Sequence, residues 1–357
     1  MSNMKDNVEL DENKALPTRR AMNGSIQVSM MGLGCMGMSE FYGDKDDEQS
    51  RDLLNYAIDK GMRFFDTADV YGYGHNETLV GSVLRDHPKR SEIVLATKGG
   101  IFRDSDDASH RGIDTSPEYL QIAIERSLSR LETPIDLYYL HRVEDDGARI
   151  EETMSALADH LRSGNIGAVG LSEVSEKTIR RADAALRKAT DGKHAIAAIQ
   201  TEFSLMTRHI EVDGVDQACR ELGILLVAYS PVCRGLLTTP SFDPQALSTS
   251  DFRRNLPRFT GDNLKHNLQL VEVLATAARD EGVTPAQVAL AWVLAHGDHV
   301  VPIPGTRSKA RLDENMAACQ IKLSPETMSL LEKAFAPQAA AGLRYSPAAM
   351  QAYGLSV

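Results

Sequence analysis

Eight short apolar runs, separated by segments of helical pattern, dominate this chain. They are MMGLG from Met30, RFFDT from Arg63, IVLAT from Ile93, DLYYL from Asp136, IGAVGL from Ile166, AIAAIQ from Ala195, ILLVAY from Ile224 and VVPIP from Val300. Helical patterns fill the intervals at 46–60, 76–86, 116–131, 150–163, 175–189 and 213–222, with two more at 264–281 and 284–296. Strands that are apolar throughout, rather than on alternate residues, must be covered on both faces, as in a parallel sheet flanked by helices. Eight such units predict an α/β fold of the closed (β/α)8 (TIM) barrel type. An open doubly wound sheet is the competing arrangement of the same units.

Element ends are well marked. Asp46 or Asp47 can cap the first helix before Gly61 stops it, and Thr115-Ser116-Pro117-Glu118 sets a cap ahead of a proline at the first helical position. Gly223 and Gly282 are placed to close later helices. Upstream, LPTRRAMNGSIQVSM carries Asn23-Gly24 between alternating segments, a type I′ β-hairpin signal that would plug the barrel floor. The polar opening MSNMKDNVELDENKAL lacks the apolar centre of a signal peptide, so residues 1–18 are expected as a frayed tail. One barrel domain with extra helices then runs over 19–337, and 338–357 form a C-terminal tail that could fold over the active-site mouth.

Hydrophobic residues make up 42% of the 357 and charged residues 25%, enough apolar material for a large core. A net charge of -11 leaves no basic face for nucleic acid or an anionic membrane, and no run approaches the roughly 20 apolar residues of a membrane span. An anionic ligand would need a local group of cations. Cys35, Cys219, Cys233 and Cys319 lie far apart without Cys-x-x-Cys spacing, as expected of small buried hydrophobes in a reducing cytoplasm. A monomer is admissible.

In such a barrel the C-terminal strand ends converge on one mouth. Delivered there are Asp66, Lys98, His141, Ser172 with Glu173, Gln200, Tyr229 with Ser230, and Gly305, with Tyr71 five residues beyond Asp66. Singly, each is an ordinary turn, rim or surface residue. Together they are not, because a lysine in a converging low-dielectric funnel needs a buried anion, and Asp66 can supply one. An ammonium ~4 Å from the Tyr71 phenol, at an effective dielectric of ~20, would favour the phenolate by up to about 4 kcal/mol and lower a pKa of ~10 by at most ~3 units. Desolvation and the Asp66 charge would offset part of this. Tyr71 then becomes a general acid, and His141 a neutral donor that orients a carbonyl oxygen or joins the proton path. Hydride addition to a carbonyl requires those two services and a bound hydride donor.

The segments MGLGCMGMSEFYG, FFDTADVYGYGHNE, LATKGG, DLYYLHRVE, GLSEVS, IQTEFSL, VAYSPVCRGLL, FRRNLPRF, TPAQVALAWVLA and IPGTRSKARLDENMAA stand in an order and spacing that resemble the aldo-keto reductases. The likeness runs from about Arg19 to the C-terminus, and is nearest to the bacterial, plant and fungal branch of general aldehyde, ketone or pyridoxal reductases. It implies a (β/α)8 oxidoreductase that reduces a small carbonyl substrate with NADPH and needs no metal. It also implies Asp66, Tyr71, Lys98 and His141 as the catalytic tetrad, Tyr71 rather than Tyr73 filling the tyrosine of D-T-A-x-x-Y-G. Ser172 and Gln200 match positions that hold the nicotinamide carboxamide, and Tyr229 a ring-stacking position. Ser230, Val232, Arg234 and Gly235 match the loop that crosses the pyrophosphate. Gly305, Thr306, Arg307, Arg311, Glu314 and Asn315 match the adenosine end, with Lys309 a further cation nearby and Met36 on a loop facing the cofactor. The chain departs from the family's usual Leu-Gly at Val232-Cys233, and Glu173 stands where many branches carry Asn.

Chemistry agrees with the last of these assignments. IPGT leads into a helix whose N-terminus suits a phosphate, and Arg307 and Arg311 at i,i+4 on one helical face would take a ribose 2′-phosphate, favouring NADP over NAD. Gly32, Gly34 and Gly37 mimic G-x-G-x-x-G but read better as backbone lying close to the pocket. Long loops at 99–115, with Phe102, Arg103, Asp104, His110 and Arg111, and at 229–263 are candidate ligand covers. Two other classes compete: an NADP-binding accessory subunit with little turnover, and a metal-dependent hydrolase, for which no His-x-His or HExxH motif is present.

Overall fold

The computed structural model describes residues 16–103, 111–352 and 355. It opens with an antiparallel hairpin, β1 (Thr18–Arg20) and β2 (Gln27–Ser29). Every apolar run then forms a parallel strand: β3 (Leu33–Gly34), β4 (Phe64–Asp66), β5 (Val94–Gly99), β8 (Leu137–Leu140), β9 (Val169–Ser172), β10 (Ile196–Glu202), β11 (Leu225–Tyr229) and β12 (Val300–Pro302). A second small hairpin, β6 (Ile101–Arg103) with β7 (Arg111–Ile113), follows β5. The strands are hydrogen-bonded in the order β12-β11-β10-β9-β8-β5-β4-β3. A parallel bridge from Gly34 to Gly305, and the Gly32 N–H donating to the Pro302 carbonyl at 3.0 Å, join the two ends. The sheet is therefore a closed barrel and not the open alternative.

Closure explains why the runs are apolar on every residue. Phe64, Tyr139 and Val227 point into the barrel interior with Ala96, Leu137 and Val301, whereas their neighbours Phe65, Tyr138 and Leu226 pack outward under the helices. The outer layer comprises α1 (Asp47–Asp59), α2 (His75–Leu84), α3 (Pro117–Leu131), α4 (Ile150–Ser163), α5 (Glu176–Ala189), α6 (Val215–Leu222), α7 (Gly261–Glu281), α8 (Pro285–Ala295), α9 (Lys309–Ala317), α10 (Pro325–Ala334) and α11 (Pro347–Ala352). None of the described helices is long and apolar enough to cross a membrane. Caps are those the sequence predicts. Asp46 accepts from the Gln49 N–H at 2.9 Å, Ser116 accepts from the Tyr119 N–H ahead of Pro117, and Gly223 and Gly282 close α6 and α7 in left-handed conformation.

Four expectations change, and the C-terminal segment takes a definite place. The first hairpin does plug the floor, with Ala21, Ile26 and Val28 joining the interior cluster, but its turn is not type I′. Pairing ends at Arg20 and Gln27, leaving 21–26 as the loop, in which Gly24 has φ 80° and Asn23 does not adopt positive φ. Asn23 is needed for its side chain, which accepts from the Ser25 hydroxyl at 2.6 Å and donates to the Ile196 carbonyl at 2.9 Å. The expected tail ends early, since Leu16 is buried and Thr18 already lies in β1; residues 1–15 fall outside the described residues. The 99–115 loop contains β6 and β7, with Asp104 and His110 outside the described residues. Residues 338–352 are packed: Asn267 exchanges hydrogen bonds with the Ala341 backbone at 2.8 and 2.9 Å, and Met350 is buried.

Gly32 and Gly34, finally, serve the barrel seam rather than the pocket. A Cβ on Gly34 would lie 2.9 Å from the Ile303 carbonyl oxygen, and one on Gly32 2.6 Å from the Phe64 ring, while Gly37 would meet only the Tyr42 side chain at 3.2 Å. We expect Gly34→Ala to cost about 1–3 kcal/mol in urea denaturation, as overpacking against rigid backbone does, and Gly37→Ala clearly less. Equal stability of the two variants would contradict the seam assignment.

Candidate active site

The end of β4 sets Asp66 beside the end of β5, because Phe65 and Asp66 pair with Leu95 and Ala96 in register. Lys98 Nζ thereby reaches Asp66 Oδ1 at 2.5 Å and also donates to the Thr67 carbonyl at 2.8 Å. Both side chains are buried, Lys98 completely. Tyr71 starts the short turn Tyr71–Gly74 and places its ring centroid 5.1 Å from Lys98 Nζ. His141, just past β8, meets that ring edge-on at 87° with centroids 5.7 Å apart. Asp66, Lys98 and His141 from three strand ends, and Tyr71 from the turn after the first, form one cluster.

Its electrostatics differ from expectation in one respect. Burial pushes the Tyr71 phenol well above its ordinary range and the Asp66 charge adds to this; the largest opposing influence is the Arg142 guanidinium, not Lys98. Lys98 itself is shifted down, burial outweighing Asp66. Burial, then Lys98, Arg142 and Arg103, hold His141 well below its usual value, and its Nδ1 is enclosed with no hydrogen-bond partner among the described residues. It is a neutral imidazole at physiological pH, as the sequence suggested.

Beside the tetrad, β9 and β10 pair Ser172 with Gln200. Gln200 Nε2 donates to Asp66 Oδ2 at 2.8 Å, and Ser172 Oγ accepts from Arg142 Nη1 at 3.3 Å. Tyr229 ends β11, and the loop beyond it folds back through left-handed residues Ser230 (φ 50°), Cys233 (48°), Arg234 (53°) and Gly235 (94°), while Val232 packs against the core. Cys233 thus takes the left-handed conformation without being glycine, and its buried thiol is pushed up and inert. The Tyr229 hydroxyl and Arg234 Nη1 are both buried without a hydrogen-bond partner among the described residues. Met36 is half-buried on the loop after β3.

At the β12 end, Gly305 is exposed next to Gly34, and Thr306 Oγ1 accepts from the Ser308 N–H at 3.1 Å. The paired arginines are not on one helical face. Ser308 is the N-cap and α9 begins at Lys309, so Arg307 precedes the helix and donates to the carbonyls of Tyr42 (2.7 Å) and Asp44. Lys309 is bound to Asp52 at 2.7 Å, and Arg311 is exposed on the first turn. On α9, the Glu314 carbonyl accepts from Gln287 at 3.2 Å and Asn315 is buried. Among the described residues no group of three or more His, Cys, Asp or Glu side chains could hold a metal ion.

Several residues at the mouth escaped the sequence reading. Arg142 immediately follows His141, and Glu202 ends β10 two residues beyond Gln200, so strand-end logic could have found both. Arg258 and Arg344 lie on irregular segments with no such signal, whereas Tyr345 belongs to the 338–357 tail that the sequence offered as a cover for the mouth. Glu202 receives Arg234 Nη2 at 2.8 Å and Thr207 Oγ1 at 2.9 Å, with Arg258 Nη1 3.6 Å away. Glu173 holds Arg344 at 3.0 and 3.1 Å, and the Arg234 guanidinium lies 4.7 Å from the Tyr345 ring centroid. Burial would raise the Glu202 carboxyl, but Arg234, Arg344 and Arg258 bring it to about 2.

A depressed carboxyl stabilises the fold above its unfolded pKa of ~4.3, and that contribution is lost as pH falls toward the folded value. Glu202→Gln should therefore cost about 3 kcal/mol at pH 7, and the gap from wild type should narrow between pH 4.5 and 2 in denaturant titrations. A gap independent of pH would contradict it.

Comparison with known proteins gives the family of the chain. Residues 30–336 match the profile of the "Aldo/keto reductase family". The chain is 38% identical over 338 residues to "Aldo-keto reductase yakc [NADP(+)]" of Schizosaccharomyces pombe, covering 94% of this chain and 96% of that one. It is 43% identical over 322 residues to "Probable aldo-keto reductase 1" of Glycine max, covering 90% and 89%. Among solved structures, a glycerol dehydrogenase from Gluconobacter oxydans superposes with a TM-score of 0.76 at 27% identity over 88% of this chain and 94% of that one. A thermostable aldo-keto reductase solved with the inhibitor epalrestat gives 0.67 at 29% identity over 88% and 97%. This chain belongs to the aldo/keto reductase family.

Proposed function

We propose that the chain reduces aldehydes or ketones to alcohols by hydride transfer from NADPH, with Tyr71 as general acid. The observation that carries the reading is the meeting, in one mouth, of a phenol, a neutral imidazole and a buried Lys98–Asp66 pair with the Ser172–Gln200 pair of adjacent strands. The orphaned Tyr229 hydroxyl and Arg234 Nη1 support a cofactor there, since buried donors without partners suit an anionic diphosphate and its attached groups. NADPH supplies the hydride when bound. Ser172 and Gln200 would hold its carboxamide, Tyr229 its ring, the Ser230–Gly235 loop its pyrophosphate, and the segment from Gly305 to Asn315 its adenosine. Arg311 is exposed and would be available to a 2′-phosphate, whereas Arg307 would have to exchange the Tyr42 and Asp44 carbonyls for it.

The raised phenol fits the role of Tyr71. At neutral pH the group is fully protonated, the form in which an acid must wait. His141 donates an N–H to the carbonyl oxygen and fixes it near the Tyr71 hydroxyl. As that proton leaves, Arg142 stabilises the phenolate, with the Lys98 ammonium 5.1 Å from the ring centroid and Asp66 keeping Lys98 in position.

Tyr71→Phe should retain NADPH binding within a few-fold by fluorescence titration and lose about 10²- to 10⁴-fold in turnover. Wild-type turnover would overturn the general-acid assignment. Arg311→Ala should weaken NADPH about tenfold while leaving NADH unchanged, as loss of one charge-assisted hydrogen bond does. Equal loss for both cofactors would contradict a 2′-phosphate contact.

A further inference from the structure

Arg142 reaches from the proton-handling residues to the strand that would hold a nicotinamide. It stands two residues past β8, directly after His141, and is 7% exposed. Its Nη1 donates to the His141 carbonyl at 2.5 Å and to Ser172 Oγ, at the end of β9, at 3.3 Å. A guanidinium Nη carries two hydrogens, so both bonds form at once and pin the side chain between the two strand ends. The same charge bears on the tetrad, acting to lower the Tyr71 phenol, Lys98 and His141.

The bond to Ser172 has a chemical consequence. A hydroxyl has one proton and two lone pairs, and a guanidinium can only donate, so Ser172 accepts from Arg142 and keeps its own proton for another partner. Ser172 is buried, and the group that takes this proton must therefore lie inside the mouth. Its neighbour across the sheet is fixed in the opposite sense. Gln200 pairs with Ser172 in register, and its Nε2 donates to Asp66 Oδ2 at 2.8 Å. A carboxylate only accepts, so the amide nitrogen faces Asp66 and Oε1 is the acceptor end. A donor and an acceptor on adjacent strands, about 4.8 Å apart, complement a primary carboxamide, whose oxygen accepts and whose nitrogen donates. Glu173, next to Ser172, is engaged elsewhere: Arg344 holds it at 3.0 and 3.1 Å, and the Glu202 N–H donates to its Oε1 at 2.9 Å.

We propose that Arg142 is a positioning residue for the hydride donor: by occupying a lone pair of Ser172 it makes that hydroxyl a donor, and so sets which end of the nicotinamide carboxamide lies on β9. Arg142 acts on the cofactor through Ser172. The assignment rests on the cofactor part of the reductase reading and adds to it the residue that orients one of its contacts.

The test is a double-mutant cycle on cofactor binding, since turnover would also register the effect of Arg142 on the Tyr71 proton. Dissociation constants are measured by fluorescence titration for wild type, Arg142→Met, Ser172→Ala and the double variant, with NADPH and with its thionicotinamide analogue, whose sulfur accepts hydrogen bonds weakly. Each single variant should weaken NADPH about five- to tenfold, and the double variant no more than the worse of the two. Arg142→Met should shift the analogue by less than about twofold, because wild type gains little from a bond to sulfur. A loss of folded protein, or of attraction to the phosphates, would affect both cofactors alike. Single losses that multiply in the double variant, or an equal loss for NADPH and the analogue, would overturn the Arg142 assignment and leave the reductase reading in place. The predicted binding cycle with no NADPH oxidation by any of a panel of aldehydes and ketones would overturn the reductase reading and keep Arg142. A wild type that does not bind NADPH would overturn both.

Discussion

The Asp66 carboxylate joins the two halves of the mouth. One oxygen takes the Lys98 ammonium at 2.5 Å and the other takes the Gln200 amide at 2.8 Å, so a single side chain on β4 links the proton-handling residues to the strand that would hold a nicotinamide. Lys98 is wholly enclosed, and a buried ammonium left without its anion costs on the order of 3–5 kcal/mol. The short strands β3 and β4, the seam glycines and the plugging hairpin all fix where that carboxylate stands.

Around it, the mouth reverses the sign of the molecule. The chain carries a net charge of -11, yet Lys98, Arg103, Arg142, Arg234, Arg258 and Arg344 outnumber Asp66, Glu40, Glu173 and Glu202 in this region. Charge inside a low-dielectric funnel reaches further than charge at the surface, so a small local excess suffices for an anionic ligand on an acidic protein. Glu202 and Glu173 moderate that excess and fasten the seventh-strand loop and the C-terminal segment to the strand ends.

The barrel was legible because closure demands strands that are apolar on every residue, and that signature is local. The cluster was legible because strand ends converge, so Asp66, Lys98 and His141, far apart in sequence, acquired one address, with Tyr71 on the turn after the first. What escaped has a common cause. Arg258 and Arg344 act from irregular segments whose course depends on distant hydrogen bonds such as Asn267 to Ala341. Arg307 and Arg311 looked like neighbours on a helix only because Ser308 had not been recognised as the cap, and the Tyr71 phenol looked easy to ionise only because its burial was weighed below the Lys98 charge. Arg103 of the 99–115 segment is held by Glu40, a partner 63 residues away that no local pattern reveals.

The most direct test is single-turnover NADPH oxidation with benzaldehyde, in stopped flow, for wild type and Asp66→Asn. Removing the charge while keeping the shape leaves Lys98 without its anion and Tyr71 without an ordered proton path. The account predicts NADPH affinity within a few-fold of wild type and a reduction step slowed by about 10²-fold or more. A reduction step at the wild-type rate would contradict it, because the carboxylate at the centre of the mouth would then have no part in the chemistry.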